Sequence, residues 1–364
     1  MENTNRYPQL EIDLAALTHN AQTVIDRCRE KGIDVAAVVK GTHAIPACVK
    51  AMASPKPAQI ASSRIEQLAS IRDLGLGLPL MLIRIPMISE VDRVVDICEY
   101  SLHSEPAVLT ALNQAAEKAG KSHQVILMAD LGDLREGFWE EADLVAAALL
   151  VERELPHLHL AGVGTNLGCY GSILATEEKL EELVARAEAV EQAIGRPLEI
   201  LSGGATSSYM RVRDGDIPAR INHLRIGEEI LNARDLEVFY GYDQTHMEQQ
   251  VYTLLAEVVE VKDKPTHPVG TIAVDAFGHR PRYVDRGIRR RAIAAVGKVD
   301  VGDLTDLFPR DKGIRVLGGS SDHAILDVED AQRPVQVGDI LAFGVDYGSM
   351  VFLTSSPSVQ LAFR

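Results

Sequence analysis

Apolar and polar positions along this chain follow two rhythms, and the change between them falls near Arg234. Before it, short apolar runs alternate with stretches in which apolar residues recur every three or four positions. The short runs predict strands at 10–14, 34–39, 59–61, 78–85, 96–101, 124–130, 158–165, 198–201 and 222–226. The longer period predicts helices at 15–29, 46–53, 64–74, 89–95, 105–119, 139–154, 177–194 and 207–212. From residue 34 onward this makes eight strands separated by helices, the pattern of parallel strands with right-handed crossovers. Eight such units in roughly 220 residues suit a closed, TIM-like (β/α)8 barrel. An open doubly wound sheet is the alternative, but no G-x-G-x-x-G run opens the first unit.

After Arg234 the rhythm shortens. Strand patterns at 251–262, 271–276, 292–296, 313–316, 324–328, 339–343 and 358–363 are joined by turns rich in Pro, Gly and Asp. The expected organisation is an α/β barrel over 10–236, followed by a mostly β domain over 237–364 that takes in 1–9.

Charge and cysteine usage narrow the function class. The formal net charge of −15 argues against non-specific binding to nucleic acid or to an anionic membrane. The opening MENTNRYPQLEIDL lacks a basic segment followed by an apolar run, and no apolar stretch approaches the length of a membrane span. Cys28, Cys48, Cys98 and Cys169 are scattered, so neither a disulfide framework nor a metal site is expected. These features predict a cytoplasmic protein.

In a barrel of this kind the chemistry lies at the carboxyl ends of the strands. Those ends read Lys40, 62–64, Arg84, His103, 130–135, 165–166, 202–207 and Arg225. The set is rich in cations and hydroxyls, and it suits an anionic ligand carrying a phosphate. Lys40 closes a buried strand, where desolvation lowers the proton affinity of an amine and frees it to form a Schiff base with an aldehyde. A surface lysine following a strand is the plainer alternative. The turn Ser202-Gly203-Gly204-Ala205-Thr206-Ser207-Ser208 follows an apolar strand and opens a helix. Its glycines let the backbone approach a phosphate, and the hydroxyls of Thr206 and Ser207 can donate to one. The same residues also satisfy a simple helix cap. Arg225, in HLRIGEEIL, either faces the mouth or pairs with Glu228 or Glu229.

Taken in order, these segments resemble the fold-type III pyridoxal-phosphate enzymes of the alanine racemase superfamily, nearest to the alanine/ornithine racemase branch. The resemblance covers nearly the whole chain. RYPQLEIDLAALTHNAQTV is similar to the family's opening strand and helix, and AVVKGTHA to the segment of the Schiff-base lysine, which implies that role for Lys40. ADLGDLREGF is similar to D-x-G-x-x-R-x-G-F, so Arg135 would reach the cofactor's phenolate oxygen and the substrate carboxylate. GVGTNLGCYG implies that Asn166 lies beneath the ring. SGGATSS matches the phosphate loop, with Gly204, Thr206 and Ser207. HLRIGEEIL matches the segment of the arginine that faces the ring nitrogen, Arg225. GIRVLGGSSDHAILDVED resembles the segment that a partner subunit inserts into the site.

There are departures. Thr42-His43-Ala44 stands where alanine racemases carry a tyrosine, Met128 where they often carry a carbamylated lysine, and TSSPSV where a tyrosine holds the phosphate. VGKVDVG replaces the run containing their second catalytic base and puts Lys298 there. These departures fit the ornithine-type branch.

The resemblance implies an isomerase that interconverts L- and D-amino acids by removing the α proton on one face and returning it on the other. Ornithine, another basic amino acid or a small amino acid would be the substrate, and the protein would work as a head-to-tail homodimer. Lys40 would serve one face, and Lys298, Asp322 or His323 of the β domain the other. Three rivals remain: a decarboxylase of the same fold, which would carry an E-P-G-R run missing here; an aldolase, which would need a metal pair with a cysteine beyond Cys169; and a cofactor carrier without turnover, which would have the barrel alone.

Overall fold

The computed structural model describes residues 6–280 and 282–364, and these divide into two compact units, 17–248 and 249–364 with the described residues before 17. The first strand, β1 (Gln9–Ile12), lies in the second unit. The first unit is a closed barrel of eight parallel strands. These are β2 (Asp34–Val38), β3 (Gln59–Ser62), β4 (Leu80–Leu82), β5 (Tyr100–His103), β6 (His123–Ala129), β7 (Leu158–Thr165), β8 (Ile200–Ser202) and β9 (His223–Ile226). β9 pairs with β2 to close it, with Ala36 level with Arg225 on one side and with Gln59 on the other.

Side chains alternate between the barrel interior and the surrounding helices. Ala36, Val38, Ala61, Met81, Leu102, Ile126 and Met128 form one apolar cluster, with Ile83, Ile85, Tyr100 and Ile200 against it. β2 ends at Val38; Val39 leaves the extended conformation with φ −98° and ψ 4°, and Lys40 follows at the carboxyl end of the strand. The helices cover the outside with single apolar stripes. Glu177–Ile194 buries Leu180, Leu183, Val184, Ala187 and Val190, and Thr176 caps it by accepting from the Lys179 N–H at 3.2 Å.

The second unit is built on β10 (Tyr252–Pro265), whose 14 residues pass from one set of partners to another. Its first half pairs with β1 and with β15 (Ile340–Val345), and its second half pairs with β11 (Ile288–Ala294) after a bulge at 258–260. β12 (Leu307–Pro309), β13 (Arg315–Gly319) and β14 (Ala324–Asp327) extend the two ends, and β16 (Gln360–Phe363) runs parallel to β1. The strand expected at 271–276 does not form. That segment follows Pro265 and Pro268, leaves Ile272 and Val274 exposed, and turns on Asp275, whose carboxylate accepts from Phe277 N and His279 N at 2.9 and 2.8 Å. Among the described residues no helix is long and apolar enough to cross a membrane.

Candidate active site

Lys40 begins a single 3₁₀ turn, Lys40–Thr42, in which Thr42 Oγ1 donates to Val39 O at 3.0 Å. His43 and Ala44 follow with φ of 49° and 56°. Two successive left-handed residues that are not glycine mark a backbone held against its own preference, and such positions cluster at functional sites. Burial pushes the Lys40 ammonium below the usual lysine range; Cys169 and Glu136 oppose the shift, while the charges of Arg135 and Arg225 reinforce it. No carboxylate among the described residues lies within salt-bridge distance of it.

Arg225 is 4% exposed and bonds to neither Glu228 nor Glu229. It donates through one terminal nitrogen to Thr165 O at 2.7 Å and through the other to Ser202 Oγ. The two acids are committed elsewhere: Glu229 accepts from Gln244 Nε2 at 2.8 Å, and Glu228 from the Arg234 and Asp235 N–H groups at 3.4 Å. Arg225 is therefore a buried cation whose partners here are all neutral. Desolvation draws its pKa down to about 10.

Beside it lies the glycine turn. Gly204 has φ +121°, and a Cβ there would come within 2.5 Å of Ser208 Oγ. The helix Thr206–Asp214 starts at once; the Ser208 N–H is taken by Ala205 O at 3.0 Å, which leaves the Thr206 and Ser207 N–H groups without a helical acceptor. Ser207 does not offer its hydroxyl to a ligand, because Oγ donates to Leu167 O at 2.7 Å. Thr206 Oγ1 receives the Glu229 N–H at 3.4 Å, which leaves its own proton to give.

Asn166 follows β7, and its Nδ2 is buried without a partner. Arg135 is ion-paired with its neighbour Glu136. What the sequence did not show is how the two loops are joined. Asp133, 1% exposed, accepts from Gly168 N at 3.0 Å, Tyr170 N at 3.0 Å and Ile173 N at 3.4 Å. It ties the 167–173 segment, with Cys169, to the 130–138 segment. The only trace of this in the sequence is the second aspartate of D-L-G-D.

Two of the expected strand-end residues do not join the site. His103 lies on the opposite face of β5 from the inward-facing Leu102, fully buried, with Ser101 Oγ bridging its Nε2 to that of His123 at 2.7 and 2.8 Å. Arg84 is locked to the buried Glu90 at 2.6 Å.

The second unit gathers the remaining candidates. Lys298 N donates to Ser320 O at 3.0 Å and Val299 N to Ser321 O at 3.1 Å, so Lys298 and the 320–323 segment adjoin. Gly297 permits this contact, since a Cβ there would come within 2.0 Å of Ser321 O. The Lys298 ammonium lies 4.3 Å from the Phe277 ring centroid and 3.9 Å from Asp275. Asp322 accepts from Ser321 Oγ at 2.8 Å, and His323 is exposed.

The barrel thus assembles a desolvated amine, a glycine turn at a helix start, an amide donor lacking an acceptor, and a buried guanidinium with only neutral partners. Those groups fit an aldehyde, a phosphate, a polar ring substituent and a ring nitrogen in turn, which is the donor set of pyridoxal phosphate.

Comparison with known proteins points the same way. Residues 12–233 match the model of the alanine racemase N-terminal domain. The chain is 40% identical over 345 residues to the ornithine racemase of Acetoanaerobium sticklandii, covering 95% of this chain and 96% of that one. It is 37% identical over 358 residues to the lysine racemase of Thermotoga maritima, covering 98% and 99%. In fold it is similar to the alanine racemase of a D-cycloserine-producing Streptomyces lavendulae, with a TM-score of 0.75 at 18% identity over 100% of this chain and 98% of that one.

Proposed function

Because the chain belongs to the alanine racemase N-terminal domain family, and so is a pyridoxal-phosphate-dependent amino-acid racemase, we propose that it inverts the α-carbon of amino acids with a basic side chain, ornithine and lysine first. The observation that carries the cofactor site is Arg225, a buried guanidinium with neutral partners in electrostatic reach of the desolvated Lys40, and the similarity to an ornithine and a lysine racemase supports the basic side chain. When bound, the cofactor supplies an aldehyde that condenses with amines and a conjugated ring that acidifies the α proton.

The protein's own groups do the rest. Gly204, Thr206 and Ser207 would hold the phosphate, chiefly through backbone N–H groups and the Thr206 hydroxyl. Asn166 would support the ring. Arg135 would exchange Glu136 for the phenolate oxygen and the substrate carboxylate. Arg225 keeps its proton, so a ring nitrogen facing it would stay unprotonated, and the ring would be a weaker electron sink that favours return of the proton over other outcomes. Lys40 would anchor the cofactor and move the α proton on one face. Its lowered proton affinity leaves a larger share of free amine near neutral pH than an exposed lysine has. Lys298 is the first candidate for the other face, with Asp322 and His323 beside it in the sequence of roles. They would come from a neighbouring subunit, in a head-to-tail homodimer working in the cytoplasm.

Exchange of the α proton in deuterium oxide tests the substrate. Both enantiomers of ornithine and lysine should exchange fastest; exchange with alanine alone, or with nothing, overturns the reading. Mixing tests the shared site. A Lys40→Ala chain and a Lys298→Ala chain, each inactive alone, should regain about a quarter of wild-type activity on reassociation, since half the dimers are mixed and each has one intact site. No recovery in demonstrated hybrids would place both faces within one chain, and a fully active Lys298→Ala would pass the role to His323 or Asp322.

A further inference from the structure

We propose that Ser202, His223 and Gln59 are positioning residues for Arg225: a hydrogen-bond chain of one fixed direction through the barrel interior that holds the guanidinium in place without neutralising it. The inference rests on the function proposed above.

The direction follows from the arginine end. Arg225 can only donate, and it donates to Ser202 Oγ. The buried Ser202 hydroxyl must then place its own proton on an acceptor, and His223 Nδ1 lies 2.7 Å away. With Nδ1 accepting, the imidazole is neutral and carries its proton on Nε2. That nitrogen lies 3.1 Å from Gln59 Oε1, which accepts. Each bond is forced by the one before it. The choice of Gln59 amide orientation is a consequence of the chain and not a premise.

The fold is shaped to let the chain pass. His223 and Arg225 are two apart on β9, so both face inward. Ser202 is level with His223 on the adjoining strand. Gln59 lies on β3, beyond β2, and between the two stands Ala36, level with Gln59 on one side and Arg225 on the other. The Gln59–His223 bond crosses β2 between Ala36, level with Gln59, and Asp34, level with His223, and the small Ala36 side chain leaves room for it.

Chemistry says why the partners are neutral. A carboxylate at Ser202 or His223 would hold the guanidinium more strongly, but it would also cancel the charge and turn the donors toward itself. A carbonyl, a hydroxyl and an imidazole fix the group and leave its full charge for an electron-rich acceptor. Burial and the charge of Arg225 together keep His223 from protonating, with its pKa pushed down to about 3, so the chain does not reverse at working pH.

Two measurements test this. The first needs no cofactor: nitrogen–proton correlation spectra of histidine-labelled apoprotein should show His223 neutral, with Nδ1 bare and Nε2 protonated, from pH 8 to pH 5. A proton on Nδ1, or titration in the ordinary histidine range, overturns the chain whatever the enzyme does. The second uses loaded enzyme. His223→Leu removes the acceptor of the Ser202 proton, whereas the Oδ1 of His223→Asn replaces it. The leucine variant should lose about tenfold or more in the ratio of racemisation to transamination with little change in KM, and the asparagine variant should regain most of it. Ser202→Ala should match the leucine variant and serves if that variant does not fold. Equal partitioning in all four proteins means that the chain only fills the barrel. A wild-type protein that racemises nothing would refute the proposed function and leave the tautomer result standing.

Discussion

The two sides of the barrel interior differ sharply. From β4 to β6 it is filled by Met81, Leu102, Ile126 and Met128, an ordinary apolar packing. From β8 through β9 to the start of β3 it is filled by Ser202, Arg225, His223 and Gln59, all buried. Both sides are equally enclosed and sit on the same kind of strand, so fold alone does not ask for the difference. Replacing a buried polar chain by well-packed apolar residues is often neutral or stabilising. The polar side is therefore better read as a cost carried for chemistry and the apolar side as what carries the fold. Substitutions on the two sides should separate activity from stability.

The widest separation is expected at Lys40, where the polar side meets the mouth. Lys40→Ala should lower racemase activity at least about a thousandfold, the scale of losing a positioned base. Its melting temperature should not fall, because the removed ammonium was desolvated and had no acid partner among the described residues. Borohydride should fix the cofactor to the Lys40 peptide in the wild type and to none in the variant. Label on Lys298 would move the whole assignment.

A matched pair comes next. Arg225→Met should cost about a hundredfold or more in activity while leaving stability unchanged or slightly higher. Met128→Ala should do the reverse. It opens a cavity in the apolar cluster and should cost about 2–4 kcal/mol in denaturant unfolding, with kcat within a few-fold of wild type. If both variants lose activity and stability together, the two sides are one packing unit and the distinction fails.

The apolar side was the more legible in the sequence, because a parallel strand buried on both faces is a continuous apolar run. The unbroken apolar run that makes β2, buried on both faces, stops at Lys40, so the strand and its terminal lysine could be read together. Alternation applied to HLRI would have paired His223 with Arg225. Nothing in one strand, however, says that Ser202 and Gln59 arrive beside it, since that depends on the register of three strands and on the small Ala36 between them. His103 was misplaced for a related reason. The fifth strand was expected at 96–101, but it runs Tyr100–His103, and in that register His103 faces the helices. The function of Asp133 escaped because a loop clamp has no period to detect. In the second unit the strand expected at 271–276 had the right composition and, in the fold, no partner.

The polar side continues beyond β9 into Glu228, and here the comparison becomes one of pH. Burial first, then the like charges of Asp235 and Glu229, push the Glu228 pKa up to about 8 from an ordinary 4.5. Its folded value lies above its unfolded one, so it imposes no penalty below about pH 4.5, a penalty that grows from there to about pH 8, and a constant one above. Glu228→Gln keeps an oxygen for the Arg234 and Asp235 N–H groups and removes the charge. The variant should gain on the order of 1–3 kcal/mol over wild type between pH 4.5 and 8.5. A difference that does not change with pH would show that Glu228 is ionised throughout.

The smallest expected effect distinguishes two buried histidine chains, one inside the barrel wall and one outside it. His223 belongs to the Arg225 chain, and His103 to the pair bridged by Ser101. Burial is the first cause in both, followed by Arg225 for His223 and by His123 for His103, and each is pushed down to about 3. The folded values lie below the unfolded 6.5, so the unfolded chain binds the proton first. Stability from each neutral ring is complete above about pH 6.5 and is lost as pH falls toward 3. Replacing either ring by asparagine removes that loss. The stability advantage of wild type over His223→Asn, and over His103→Asn, should therefore shrink by about 1–2 kcal/mol between pH 6.5 and pH 5, measured by urea unfolding at each pH. Stability treats the two chains alike. Catalysis should not: at pH 8, His103→Asn should leave the ratio of racemisation to transamination where it was, because its chain ends against helices. In His223→Leu, where the chain to Arg225 is cut, that ratio should fall. A fall of equal size in His103→Asn would mean that the barrel wall, and not the chain through it, governs Arg225.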